Sequence, residues 1–255
     1  MNYNYHTHTY RCHHATETPE EYILRAIECG IKYMGFSDHA PFAFPGGLEH
    51  GHRVPMAERY DYYRELDDLR NKYADKIEIK IGFEMEYYPA YFGQMLEIAK
   101  ECGGEYLILG QHHLGNGPTA RNSVEYTECI NDLIEYVDKV TASIKSGYFT
   151  YVAHPDILNF QGDEDLYKEQ MSLICKCSKE ENVPLEINFL GIRTKRNYPF
   201  MPFWQLAGEI GCPVTFGFDA HDAMNAYDEK SLSEALTMVD KYKLNYIGKP
   251  ELKTL

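Results

Sequence analysis

Six short apolar segments each run directly into residues that bind metals, and this repeat constrains the fold more than any other feature. Tyr3–His6 leads into His6-Thr7-His8, with His14 further on, and Tyr33–Phe36 leads into Asp38-His39. Ile77–Gly82 runs into Glu84 and Glu86, and Tyr106–Leu109 into His112-His113. Phe149–Val152 is followed by His154-Pro155-Asp156, and Val214–Phe216 by Asp219-Ala220-His221. Adding Leu185–Ile187 gives seven strand candidates. They rest on apolar content and flanking Gly or Pro, because most are too short to alternate.

Helical patterns fill the intervals. Thr18-Pro19-Glu20-Glu21 supplies an N-cap, a proline at the first helical position and a capping-box Glu, and Gly30 closes that helix. Tyr62, Leu66, Leu69 and Tyr73 recur at helical spacing, as do Tyr126, Ile130, Leu133, Val137, Val140 and Ile144. A shorter helix ends at Glu101, another carries Leu166, Leu173, Ile174 and Cys177, and the last carries Leu232, Ala235, Leu236, Val239 and Tyr242. Strict alternation implies parallel strands with right-handed crossovers. The expected fold is α/β, a seven-stranded (β/α) barrel formed as one domain over residues 1–255. A doubly wound sheet is the competing architecture. In a parallel barrel the loops after the strands open on one face, so residues from His6 to His221 converge on one site.

The chain carries 25 Lys+Arg against 39 Asp+Glu, a net charge of −14. That balance argues against a nucleic-acid or anionic-membrane partner. An anionic substrate then needs local positive charge from a metal or an arginine. No apolar stretch approaches the roughly 20 residues of a bilayer span. Met1-Asn2-Tyr3 leads straight into the first His motif with no signal peptide, and the scattered cysteines suit a reducing compartment, so the expected location is cytoplasmic.

Imidazole with carboxylate, and no thiolate set, suits Zn, Mn or Fe, whereas Ca or Mg would want mainly oxygen. His6 and His8 sit at i and i+2 on one strand and face the same way. The likeliest ligand set by position is His6, His8, His14, His39, His113, His154 and His221 with Glu84 and Asp219. At roughly three to five ligands per ion, that set needs two or three divalent ions, and a carboxylate such as Glu84 can bridge two. His50 and His52, in a Gly/Pro-rich loop, read as solvated. Asp38 reads as an orienter of a neighbouring histidine or as a packing residue, and Trp204 as packing between helix and barrel.

Together the segments His6-Thr7-His8-Thr9, Ser37-Asp38-His39, Gly82 to Tyr87, Gly110 to Leu114, Ala153 to Asp156, Glu186-Ile187-Asn188 through Arg193, and Asp219 to Asp222 resemble the PHP (polymerase and histidinol phosphatase) family. The likeness is greatest to its histidinol-phosphatase branch. The resemblance implies a distorted (β/α)7 TIM-like barrel with up to three metals at the strand ends. By alignment, one ion would take His6, His8, Glu84 and Asp219, a second Glu84, His113 and His154, and a third His14, His39 and His221. The family spacing after Gly110 selects His113 as the ligand and leaves His112 to the substrate. Arg193 matches the position expected to grip the substrate phosphate, so Glu84, Asp219 and Arg193 are the expected catalytic residues.

The implied reaction is hydrolysis of the phosphate monoester L-histidinol phosphate to L-histidinol and phosphate, a step of histidine biosynthesis, with a metal-bridging hydroxide as nucleophile. A metal-bound water, Asp156 and Glu86 are candidate proton donors to the leaving group. The alternatives are a family phosphoesterase acting on another ester, such as a nucleotide or oligonucleotide, and a non-catalytic metal-binding module.

Overall fold

A computed structural model describes residues 1–255. Strands and helices alternate as β1 (Tyr3–Asn4), α1 (Pro19–Glu28), β2 (Tyr33–His39), the hairpin β3 (Ala43–Phe44) and β4 (Leu48–Glu49), α2 (Arg59–Lys72) and β5 (Glu78–Met85). They continue as α3 (Phe92–Glu101), β6 (Tyr106–Leu109), α4 (Ile130–Ser146), β7 (Phe149–Val152), α5 (Glu164–Glu181) and β8 (Leu185–Asn188). The last elements are α6 (Phe189–Thr194), α7 (Met201–Ile210), β9 (Pro213–Gly217), α8 (Glu229–Tyr242) and β10 (Asn245–Tyr246). All seven expected strands are present. The order β1-β2-β5-β6-β7-β8-β9-β10 is parallel throughout, as right-handed β-α-β crossovers require.

The sheet closes only at its mouth. There His8 N donates to Ala220 O at 2.9 Å and Ala220 N to His6 O at 3.2 Å, joining the residues after β1 to those after β9. At the other end β10 pairs with β9, and Tyr246 meets Tyr3 through their hydroxyls at 3.2 Å. That two-residue strand is not among the expected seven and adds an eighth strand beside β9 to the distorted (β/α)7 TIM-like barrel. A competing doubly wound sheet would need strand order to reverse about a switch point, and it does not.

Side chains at i and i+2 on a strand share a face. Tyr3 and Tyr5, Tyr106 and Ile108, and Tyr151 and Ala153 form one buried cluster inside the barrel. The opposite face packs on the helices in a second, larger apolar core. Helix ends follow the sequence signals: the Glu21 carboxylate accepts from Thr18 N and Oγ1 at 2.8 Å, and α4 stops at Gly147, whose φ of 81° suits a residue without Cβ. Three expected stripes shift, that of α8 by exposing Leu236 while Ala235 and Met238 are buried. Tyr126 precedes α4 and is exposed, and α5 buries Tyr167, Met171 and Ile174 while Leu166 and Leu173 face solvent. No helix is long and apolar enough to cross a membrane.

Candidate metal centre

The barrel mouth opens into a cavity of about 510 Å³ lined by His8, His14, His39, Glu84, His112, His154, Asp219 and His221 among others. Glu84, the last residue but one of β5, stands at its centre. Its carboxylate lies 3.6 Å from His6 Nε2, 3.4 Å from His8 Nε2, 3.2 Å from His39 Nδ1, 3.4 Å from His112 Nε2 and 2.9 Å from His154 Nε2. Asp219 lies 3.5 Å from His6 Nε2 and 3.4 Å from His8 Nε2. Most of these gaps are too long for good hydrogen bonds. They match the roughly 3.3–3.6 Å edges of a tetrahedron whose ligands sit 2.0–2.2 Å from a central ion.

Unpaired atoms point the same way. His6 Nε2, His8 Nε2 and Asp219 Oδ1 are buried with no hydrogen-bond partner, an arrangement that costs free energy unless an ion completes it. Ligand atoms of His6, Glu84 and His154 lie within 4.8 Å of one another, as do those of His6, His8 and Asp219, of His8, His39 and Glu84, and of His14, His39 and His221. The donor set therefore fits two or three divalent ions.

Four of the rings are tethered through their second nitrogens. Glu186 meets His6 Nδ1 at 2.8 Å, the Asp38 carboxylate meets His8 Nδ1 at 3.4 Å, Cys12 O meets His14 Nδ1 at 2.7 Å, and Glu86 meets His112 Nδ1 at 3.5 Å. Such contacts fix ring orientation and tautomer for a ligand. His154 and Asp219 sit at φ of 32° and 47°, strained for residues with a Cβ, and both present their side chains to the cavity. A Cβ at Gly110 would collide with the Glu84 carboxylate, and one at Gly217 with that of Glu186.

Charge is concentrated there. Burial opposes ionisation of Asp219 and Glu84, yet the surrounding histidines hold both carboxyls well below their usual range. Burial likewise opposes a proton on His6, but Glu186, Asp219 and Glu84 lift its pKa to about 10. His14 goes the other way, down to about 4, through burial and the neighbouring His221. The carboxylates thus draw positive charge inward, and a divalent ion can take the place of those protons.

The PHP domain family profile matches residues 4–189, well over half of the sequence. The chain belongs to the PHP domain family. Among curated PHP relatives, the probable histidinol-phosphatase of Deinococcus radiodurans is 25% identical, with 85% of each chain covered. The histidinol-phosphatase of Lactococcus lactis subsp. lactis is 24% identical over 93% of this chain and 90% of that one. The solved Lactococcus lactis histidinol phosphate phosphatase, complexed with zinc, L-histidinol and phosphate, superimposes with a TM-score of 0.73 at 20% identity, covering 96% and 95% of the two chains. That likeness supports the barrel fold.

Two sequence-derived PHP assignments change place. His112, not His113, stands beside Glu84, with its ring centroid 5.0 Å from that of His154. His113 turns into a side pocket with His50, where its Nδ1 lies 3.9 Å from Glu86. Arg193 does not line the cavity. Its guanidinium donates to Phe218 O at 2.6 Å and to Asp219 O, holding the strained segment that carries Asp219. The cavity arginine is Arg196, three residues on, which donates to the Tyr198 hydroxyl at 3.2 Å and lines the cavity together with Asn122 and His52.

His52 is exposed, as its Gly/Pro-rich loop suggests, and its ring also lies 4.7 Å from that of His14. Glu186 was visible only as part of a motif, although its contact with His6 spans 180 residues. Neither side chain named as a candidate proton donor suits that task. Burial opposes ionisation of Glu86, but Arg53 holds its carboxyl well below the usual range, and Asp156 is turned onto Phe200 N and Trp204 Nε1.

Proposed function

We propose that this chain hydrolyses a phosphate monoester, L-histidinol phosphate, to L-histidinol and inorganic phosphate, the histidine-biosynthetic step. The supporting observation is the set of carboxylate–imidazole gaps of 3.2–3.6 Å around Glu84 and Asp219, with their buried unpaired atoms, in a chain similar along most of its length to histidinol-phosphatases. Divalent ions bound there would supply a water of lowered pKa as nucleophile and positive charge for the phosphoryl oxygens.

The chain's own residues do the rest. His6, His8, His14, His39, His112, His154, His221, Glu84 and Asp219 form the metal-ligand set, with Glu84 central enough to bridge. Glu186, Asp38 and Glu86 fix the ring planes of His6, His8 and His112. Arg196 offers a planar fork to the phosphate. Arg193 positions Asp219 from behind. Val124, Ile157 and Leu190 give the cavity an apolar side that suits the carbon skeleton of a small ester better than a nucleic-acid backbone.

The working unit in this reading is the whole span 1–255, because Asp219 and His221 lie beyond the matched residues 4–189 yet stand in the same cavity. All seven cysteines are free, which suits a cytoplasmic enzyme. The test is metal analysis of the purified protein together with phosphate release from histidinol phosphate and a panel of other phosphate monoesters and nucleotides. Preferred turnover of histidinol phosphate by metal-loaded protein is expected. A higher kcat/KM on another ester would move the substrate within the family, and no release from any ester with metals fully loaded would overturn the reading.

A further inference from the structure

Cys12 is fully buried next to His8 and His221 of the metal cavity, and the hydrolysis outlined above does not use its thiol. It ends the short helical turn Tyr10–Cys12 after β1, where its Sγ donates to Thr9 O at 3.1 Å. That sulfur, one imidazole nitrogen of His8 and one of His221 lie within 4.8 Å of one another. The His8 and His221 rings stack at 4.1 Å, and the buried His8 Nε2 has no hydrogen-bond partner. His221 also belongs to the all-imidazole group with His14 and His39. The Cys12 position therefore shares His221 with that group and His8 with the groups built on Glu84 and Asp219.

We propose that His8, Cys12 and His221 form a thiolate-bearing position for a soft divalent ion, in competition with the His14–His39–His221 position. The separations allow a centre with sulfur at ~2.3 Å and nitrogen at ~2.0–2.1 Å after small side-chain shifts. Binding breaks the Cys12 S–H bond as the metal–sulfur bond forms, and the proton leaves to solvent. Thiolate favours zinc or cadmium over manganese. Manganese stays on imidazole and carboxylate, while soft ions in excess are drawn to sulfur and pull His8 and His221 from their other groups. The inference rests on the cavity being a metal centre, not on which ester is cleaved.

Full-length metal-free protein, wild type, C12S and C12A, titrated with Co²⁺ and with Cd²⁺, gives the test. The wild type is expected to develop sulfur-to-metal charge-transfer absorption that both variants lack, while they still bind ions through histidine and carboxylate. X-ray absorption of the cadmium form should place one sulfur in the wild-type shell and none in C12S. Cadmium should inhibit the manganese-loaded variants about tenfold less potently, the scale on which changes around a metal site alter affinity. Thermal melts identify any variant that has not folded, and either folded variant is sufficient. A charge-transfer band equal in wild type and variants, or no sulfur in the wild-type shell with the cavity loaded, overturns the proposal. Phosphate release has no part in the spectroscopic result, so failure of the histidinol phosphate assignment would leave that result interpretable.

Discussion

At the scale of single residues, the path of the chain after β6 decides between two adjacent histidines. Ser123 N donates to His112 O at 2.7 Å and Gln111 Nε2 to His113 O at 2.7 Å, which turns one ring onto Glu84 and the other away. Spacing after Gly110 could not show this, because neighbours in extended chain point to opposite sides. His112→Ala should therefore lower metal affinity by more than about tenfold, while His113→Ala keeps wild-type metal content, as metal analysis after dialysis will read. The reverse result would restore His113 to the cluster. The two arginines divide similarly. Arg196→Ala removes a cavity cation and should raise KM for the phosphorylated substrate by roughly 10–100-fold, the worth of a charge-assisted hydrogen bond of about 1.5–3 kcal/mol. Arg193→Ala frees the carbonyls of Phe218 and Asp219 and should lower metal occupancy and kcat with little change in KM. Steady-state kinetics beside metal content separates the two, and a KM effect confined to Arg193 would return it to the phosphate. The candidate histidine and carboxylate ligands were legible because their side chains announce their chemistry. Arginine is ambiguous in sequence, since backbone carbonyls and phosphates accept from it equally well.

Among the elements, α7 is tied to the loop after β7 by a single buried carboxylate. Asp156 Oδ2 accepts from Trp204 Nε1 at 2.9 Å and from Phe200 N at 2.5 Å. Trp204 thus packs helix to barrel, as its sequence context indicates, but it also carries a polar link that apolar patterning could not reveal. Burial outweighs these donors and lifts the Asp156 pKa from 3.8 to about 6. Its folded-state pKa is raised, so the native state binds the proton more tightly than the unfolded chain does. The stabilisation is complete below the unfolded value of 3.8 and is lost as pH rises through about 6. Asp156→Asn keeps a carbonyl acceptor for Trp204 and Phe200 and carries no charge at any pH. It should raise the melting temperature at pH 8 relative to wild type, with the gain shrinking toward zero near pH 4. The maximum gain is on the order of 3 kcal/mol. Equal effects at both pH values would show that the buried charge is not the determinant.

For the whole molecule, the convergence of six motifs was legible because order along the chain is enough: parallel strands put every following loop at one end. The other end of the barrel was not legible. Its packing depends on tyrosines far apart in sequence and on a terminal segment with no periodicity. Inside the barrel Tyr5 meets Tyr106 edge-on at 5.9 Å, and Tyr106 OH donates to Tyr5 O at 2.9 Å. Leu252 packs against this cluster. Lys253 N donates to Thr150 Oγ1 at 3.1 Å and Leu255 N to Glu105 O at 3.2 Å, so the final residues cover the strand starts opposite the metal mouth. Removing residues 248–255 would expose the tyrosines and free these polar partners. The partly buried Leu252 alone accounts for up to about 1.5–3 kcal/mol, and a loss of 2–3 kcal/mol in a chain of this size lowers Tm by roughly 5–10 °C. Because β1 and β9 close at the mouth through His8, His6 and Ala220, metal content and kcat/KM at low temperature should stay near wild type. Leu252→Ala should show a smaller share of the same shift. An unchanged Tm in the truncated protein would mean that the segment does not dock on the barrel, and loss of metal without loss of Tm would mean that the two ends of the barrel are coupled.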